Sequence, residues 1–224
     1  MKAKSNISFC IITLILLQLL FLTSCTKDNS RVLPETIKDI EGNSYKTITI
    51  GTQLWLAENL KTTKYNDGSE IPDFYYYNND SVSNRKIYGA LYSLTSVKKG
   101  NLCPVGWHVS TMKNWEVLSE YVGGDSIAGA KLKEAGIAHW NLPNAEATNE
   151  SGFTALPGGW YFLSPEFSMC CGEYYDPTFG GLGKQGVWCA DTLVYRLDNS
   201  EIILYHGGVP GGSYASVRCI RNPN

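Results

Sequence analysis

One stretch of this chain carries a clear helical period, and its surroundings exclude a helical fold. Ser110 and Thr111 are good N-caps, Trp115, Leu118 and Val122 follow at i, i+3 and i+7, and Gly123-Gly124 closes the run. Asp125 can cap a second helix through about Ala135, ended by Gly136. The other segments have strand or turn character. "YKTITI" alternates between the turn signals "EGN" and "GT", and "QLWLAENL" follows, so a β-hairpin is expected there. "NDG" is a turn, and "FYYYNND" reads as a strand with one aromatic face buried. "IYGALYSLTSV" fits either period and is taken as helix. From His139 to Phe162, Gly, Pro and Asn dominate, which predicts turns and irregular chain. "GVWCADTLVYRLDNSEIILYHGG" returns to strand pattern with "LDNSE" as a turn between two runs, and "YASVRCIRN" reads as a terminal strand. Strands first, two helices in the middle, long loops and strands last, with 22 Gly and 14 Tyr in 224 residues, describe a loop-rich α+β domain.

The N-terminus addresses location. Lys2 and Lys4 precede "ISFCIITLILLQLLFL", an apolar run with the length and flanks of a signal segment rather than a membrane anchor. It ends at "LTSC", Leu22 to Cys25, which resembles a bacterial lipobox. That resemblance implies cleavage before Cys25, a lipidated Cys25, and membrane attachment through the acyl group. The expected organisation is a signal peptide over residues 1–24, a polar tether over 25–35 and a single domain over 36–224. "TKDNS" after the cysteine partly matches an export tag of surface lipoproteins, so the outer face of the outer membrane is favoured over the periplasmic face. With Lys2 and Lys4 removed, 17 basic side chains stand against 21 acidic ones, a net charge of −4. With no basic patch, nucleic acid is disfavoured as a partner.

Cys10 lies in the signal, Cys25 is committed to lipid, and Cys103, Cys170, Cys171, Cys189 and Cys219 remain. No CxxC or His-spaced set resembles a zinc site, and two bridges at most leave one thiol over. His108 follows Cys103 by five residues, yet nothing in the sequence orients it as a base, so Cys103 reads as a structural cysteine and not a nucleophile. Asp67, Glu70 and Asp73 lack the spacing of a calcium loop and read as a solvated turn. His139 and His206 read as loop residues making hydrogen bonds, and Asn149 with Glu150 as a pair tying down a turn at Gly152.

Five segments in order, "DIEGNSYKTITIGTQLWLAENLKTTKYNDGSEIP", "YGALYS", "LCPVGWHVSTMKNWEVLSEYVGG", "ATNESGFTALPGG" and "SVRCIR", resemble the Fibrobacter succinogenes major paralogous domain, over roughly Thr36 to Arg221. That family occurs in surface and secreted bacterial lipoproteins. More distantly, "CPVGWHVSTMKNWE" and "SVRCIR" are similar to segments of the formylglycine-generating sulfatase-modifying group. Together the resemblances imply a C-type lectin-like looped fold: a twisted antiparallel sheet, two helices and long irregular loops. They also imply a bridge between Cys103 and Cys219. "VWCA" and "MCC" depart from the family pattern, and the economical reading pairs Cys189 with Cys170 or Cys171. The sugar-binding triplets of calcium-dependent lectins and the catalytic cysteines of the modifying enzymes have no counterpart here, so no cofactor is assigned and calcium has no motif behind it.

The leading expectation is therefore a non-catalytic, lipid-anchored surface module recognising a glycan or protein partner through a loop-rich face. Trp160, Tyr161, Phe162, Tyr174, Tyr175 and Trp188 are the candidate contact residues, though the same residues suit a core. A structural or adhesive component of the cell surface ranks second, and a protein-modifying enzyme third.

Overall fold

A computed structural model of the chain describes residues 36–163, 178–208 and 211–221. Strands β1 (Thr36–Lys38), β2 (Ser44–Ile50) and β3 (Gln53–Leu56) open the domain. β2 and β3 form the expected hairpin, with Ile50 facing Gln53 across the Gly51-Thr52 turn. β4 (Phe74–Tyr75), α1 (Ser83–Tyr88), β5 (Leu91–Ser93) and α2 (Leu94–Lys98) follow. Next come β6 (His108–Val109), α3 (Met112–Val122), α4 (Asp125–Leu132), β7 (Gly158–Phe162) and β8 (Thr178–Leu182). β9 (Gln185–Ala190), β10 (Leu193–Asp198), β11 (Tyr205–Gly208), β12 (Ser213–Ala215) and β13 (Cys219–Arg221) complete it. The protein is thus a mixed α/β domain, sheet-rich and mostly antiparallel, with four helices among the described residues, none long and apolar enough to cross a membrane.

One sheet has the order β1-β2-β3-β13-β6, the other β11-β10-β9-β7-β12-β5-β4, with β8 paired to β7. β7 and β9 make a parallel contact, which sequence patterning did not suggest. The first sheet joins the two ends of the domain, because β13 inserts between the opening hairpin and β6. There Cys103 and Cys219 are disulfide-bonded across 116 residues of sequence. In the chain-entropy account, closing a loop of that size stabilises by about 4–5 kcal/mol.

α3 begins where its sequence indicates. The Thr111 side chain accepts from Asn114 N, the Asn114 side chain accepts from Thr111 N, and Gly123 ends the helix in the left-handed region. Its buried face, Trp115, Leu118 and Val122, packs into an aromatic core in which Trp115 stacks on Tyr195 and meets Trp55 and Phe153 edge-on.

Four sequence expectations change. "IYGALYSLTSV" is divided between α1, β5 and α2, because Gly89 passes so close to Leu60 that a Cβ there would lie 2.6 Å from the Leu60 carbonyl. Ala90 N donates to that carbonyl, so the chain leaves extended and not helical. α4 starts with Asp125 inside the helix and Gly124 at the N-cap, and stops at Leu132 because Lys133 and Glu134 bond alongside Ala155. The run before "LDNSE" is two strands folded at Asp191, whose φ is 54°. "YASVRCIRN" splits into β12 and β13, which serve different sheets.

Candidate functional site

A cleft of about 550 Å³ lies against the second sheet, where β10, β9, β7 and β12 run side by side. Its floor follows from register. β9 and β10 pair Cys189 with Val194, Val187 with Arg196, and Gln185 with Asp198. Opposed residues of an antiparallel pair share a face, so these six stand on one side of the sheet. Gln185, Val187, Val194 and Arg196 line the cleft and Cys189 is buried in one core cluster, while Trp188, Ala190, Tyr195 and Leu197 pack into the other. Arg196 is also opposite Tyr205 on β11, and its guanidinium sits 4.9 Å from the centre of that ring.

Trp160 on β7 supplies the aromatic platform. Gly180 is its partner on β8, and the indole lies across that residue so closely that any Cβ there would enter the ring. The sequence places a glycine where the platform needs a flat bed. Trp160 Nε1 donates to Gln185 Oε1 at 2.9 Å, Gln185 Nε2 donates to Asp198 Oδ1 at 2.7 Å, and Arg196 Nε donates to Asp198 Oδ2 at 2.9 Å. This relay fixes the rotamers of four side chains on three strands. The terminal guanidinium nitrogens of Arg196 have no protein partner among the described residues, and the side chain is 44% exposed. The arrangement places a half-buried aromatic surface and a fork of guanidinium donors side by side, both held by hydrogen bonds within the protein.

The other candidate residues separate. Tyr161 is 8% exposed, packs with Tyr75, Phe179 and Tyr214, and together with Tyr214 also borders the cleft. Phe162 is half-buried at the end of β7, on the cleft's edge. Trp188 is corrected from contact residue to core: it is 0% exposed, and its Nε1 donates to Asn59 Oδ1 at 2.9 Å. Its alternation on β9 aims it inward, which a sequence cannot reveal until the register is known. Tyr174, Tyr175, Cys170, Cys171 and Cys25 lie outside the described residues. The expected bridge from Cys189 to Cys170 or Cys171 involves cysteines outside the described residues, and Cys189 itself is a free and fully buried thiol. Burial pushes that thiol up to about 12, which leaves it protonated and unreactive at neutral pH.

The acidic and histidine candidates are engaged locally. Asp67 accepts from Ser69 and Asn101, Glu70 pairs with Lys64, and Asp73 accepts from Ser96 and Tyr214. Among the described residues no three His, Cys, Asp or Glu side chains gather as a metal site. His139 bonds Glu134, His206 lies 3.8 Å from Asp125, and Asn149 bonds Thr154 through both its amide atoms. A second hollow of about 350 Å³ is lined by His108, Thr111 and Asp191. The Asp191 carboxylate already accepts from Met112 N at the start of α3.

Sequence reasoning missed the cleft residues Gln185 and Arg196 and their partners Asp198 and Tyr205. The signal was available in "VYRLD", where Val194, Arg196 and Asp198 recur at the two-residue strand period. It also missed the buried, multiply hydrogen-bonded side chain of Arg218. Arg218 donates to Asn59 Oδ1, to the carbonyls of Leu56 and Phe153, and to that of Thr154, and it lies 4.3 Å from the Phe153 ring centre. Burial draws its pKa down to about 9. Lys133 is likewise buried, is lowered to about 8 by burial, and donates to the carbonyls of Asp198 and Glu201.

These contacts explain what the ordered segments do. "AENL" supplies Asn59, "GFTALPGG" supplies the Phe153 and Thr154 carbonyls, and "SVRCIR" supplies Arg218 and Cys219. They are distant in sequence and meet at one buried knot. The sequence model of the Fibrobacter succinogenes major domain matches residues 48–221, a span that contains the knot and the cleft, and the chain belongs to that family. No curated protein and no solved structure matches the chain.

Proposed function

We propose that this protein is a non-catalytic recognition module, held to the bacterial outer membrane by lipid on Cys25, that binds a glycan or protein partner in the cleft bounded by β7, β9 and β10. The observation that carries the reading is the fixed Trp160–Gln185–Asp198–Arg196 relay, which places an aromatic surface and unused donors on rigid strands. The buried reactive groups support a non-catalytic role, because Cys189, Lys133 and Arg218 are enclosed or engaged by backbone carbonyls. The apolar run ending in Leu22–Cys25 supports the anchor, and Lys27-Asp28 supports the outward-facing location. A C-type lectin-like arrangement fits the looped sheet, the helical middle and the joined ends of the domain.

The test is a glycan and matrix-protein array probed with the purified full chain, with calcium and then with chelator. Selective binding that drops in Trp160→Ala and Arg196→Ala, with folding intact, is expected. Binding unaffected by both variants, or a blank from a well-folded sample, overturns the reading. Metabolic labelling with an alkyne fatty acid tests the anchor: incorporation into the wild type and its absence in Cys25→Ala is the expected pair.

The adhesive-component reading has one observation of its own, which is that β11 ends the strand order of its sheet. A short strand carrying Gly207 and Gly208, followed in sequence by Pro210, is a poor template for another chain, so this reading stays second.

A further inference from the structure

We infer that the ligand of the cleft is a short, uncharged oligosaccharide, gripped directly by side chains and not through a bound cation. This inference rests on the recognition reading and narrows it to one ligand class. Three observations carry it.

The first is shape and surface. A pyranose ring presents a face of C–H bonds and an edge of hydroxyls, so its site needs a flat aromatic surface with polar groups at the margin. Trp160 provides the surface, with its indole fixed in the plane set by Gly180 beneath and Gln185 beside it. Val187 and Val194 extend the apolar floor, and Arg196 and Gln185 stand at its margin. A volume of about 550 Å³ is within the usual range for a small-ligand cleft.

The second is charge. Arg196 is the charged side chain among the lining residues, and Asp198 neutralises it at 2.9 Å. An anionic sugar would have to compete with that carboxylate, and a cationic ligand would meet the guanidinium. A hydroxyl needs neither charge. It accepts from the spare guanidinium N–H groups and leaves the ion pair intact.

The third concerns the cation. The Asp198 oxygens accept from Gln185 and from Arg196, so this carboxylate is already committed and is not offered to a metal. The groups that would touch sugar hydroxyls are therefore the Arg196 and Gln185 N–H donors and the Ser213 hydroxyl, which do not need calcium as an intermediary.

Titration calorimetry of the purified full chain separates the outcomes. The probes are neutral gluco-, manno- and galacto-oligosaccharides of two to six units, with a uronic-acid oligosaccharide and a lysine-rich peptide as charged controls. The expected result is saturable binding of a neutral oligosaccharide that is unchanged by chelator and nearly flat with salt. Trp160→Ala should weaken it at least about tenfold, Trp160→Phe by about threefold, and Arg196→Ala by about tenfold, one lost polar contact being worth roughly a factor of ten. Arg196→Ala is exposed and keeps the test valid where Trp160→Ala fails to fold. Preferred binding of the uronate with a steep salt dependence overturns the uncharged assignment and leaves the cleft as a recognition site. Loss of neutral-sugar binding on chelation overturns the cation-free part. A protein ligand that needs Trp160 and Arg196, with no sugar bound, overturns the ligand class alone. Sugar binding indifferent to both substitutions overturns the class and the recognition reading together.

Discussion

The knot around Arg218 and the cleft around Arg196 are built from the same materials. Each has an arginine, an amide side chain and a tryptophan indole N–H joined in a hydrogen-bonded chain. In the knot, Arg218 and Trp188 both donate to Asn59 Oδ1, and Arg218 reaches three backbone carbonyls. In the cleft, Trp160 reaches Arg196 through Gln185 and Asp198. The difference is what remains. Arg218 is 1% exposed with donors aimed at backbone, whereas Arg196 is exposed with donors to spare. A satisfied polar chain in the interior fixes a fold, and the same chain at a surface, with donors unmatched, is what the proposed recognition site requires.

Tryptophan truncation should separate the two regions most widely. Trp188→Ala removes a fully buried indole and one of the two donors to Asn59 Oδ1, so a loss of about 3–5 kcal/mol is expected in denaturant unfolding. Trp160→Ala, at a half-buried surface position, should cost about 1 kcal/mol while abolishing most ligand binding. Equal losses would collapse the distinction. Arg218→Leu comes next. Replacing the guanidinium leaves the carbonyls of Leu56, Phe153 and Thr154 without that donor, for an expected loss of about 3 kcal/mol. Survival of full stability would show that the knot is incidental to the fold.

Alkaline titration probes the interior from another side. Cys189 is raised from its ordinary 9.0 to about 12, so its contribution is intact below pH 9 and is lost as pH rises towards 12. Lys133 is lowered from 10.5 to about 8, so the unfolded chain holds the extra proton between those values and stability from this group rises with pH across that window. Unfolding midpoints taken from pH 7.5 to 10.5 should show Cys189→Ala losing a downward slope of about 1 kcal/mol per pH unit above pH 9. Lys133→Met should lose the opposing upward slope. The smallest expected effect is the stability of Arg196→Ala, unchanged within about 0.5 kcal/mol because its ion pair is partly solvated. A larger loss would make the cleft relay part of the fold's framework.

Much of the framework was legible in the sequence because its signals are local. The opening hairpin follows from alternation around Gly51-Thr52, and α3 from the cap at Thr111 and the spacing of Trp115, Leu118 and Val122. The Asn149 turn was readable because an Asn side chain can bond only a few residues along its own chain. Where a long-range contact competes with local preference, the sequence misleads. Gly89 is pressed against Leu60, and this turns an ambiguous apolar run extended.

The sequence by itself determined the opening hairpin, the helix α3, the family, and the interior character of Trp115. Only the tertiary structure decided which tryptophan of the late strands faces solvent. Trp160 and Trp188 are equally hydrophobic as text, and a strand's two faces are chemically equivalent until its neighbours are in place. The parallel contact of β7 with β9, the antiparallel register of β9 with β10, and Gly180 beneath the indole turn Trp188 inward and hold Trp160 at the cleft. Those pairings join residues by backbone hydrogen bonds that carry no side-chain signature. They settle which aromatic ring is enclosed in the core and which one borders the cleft.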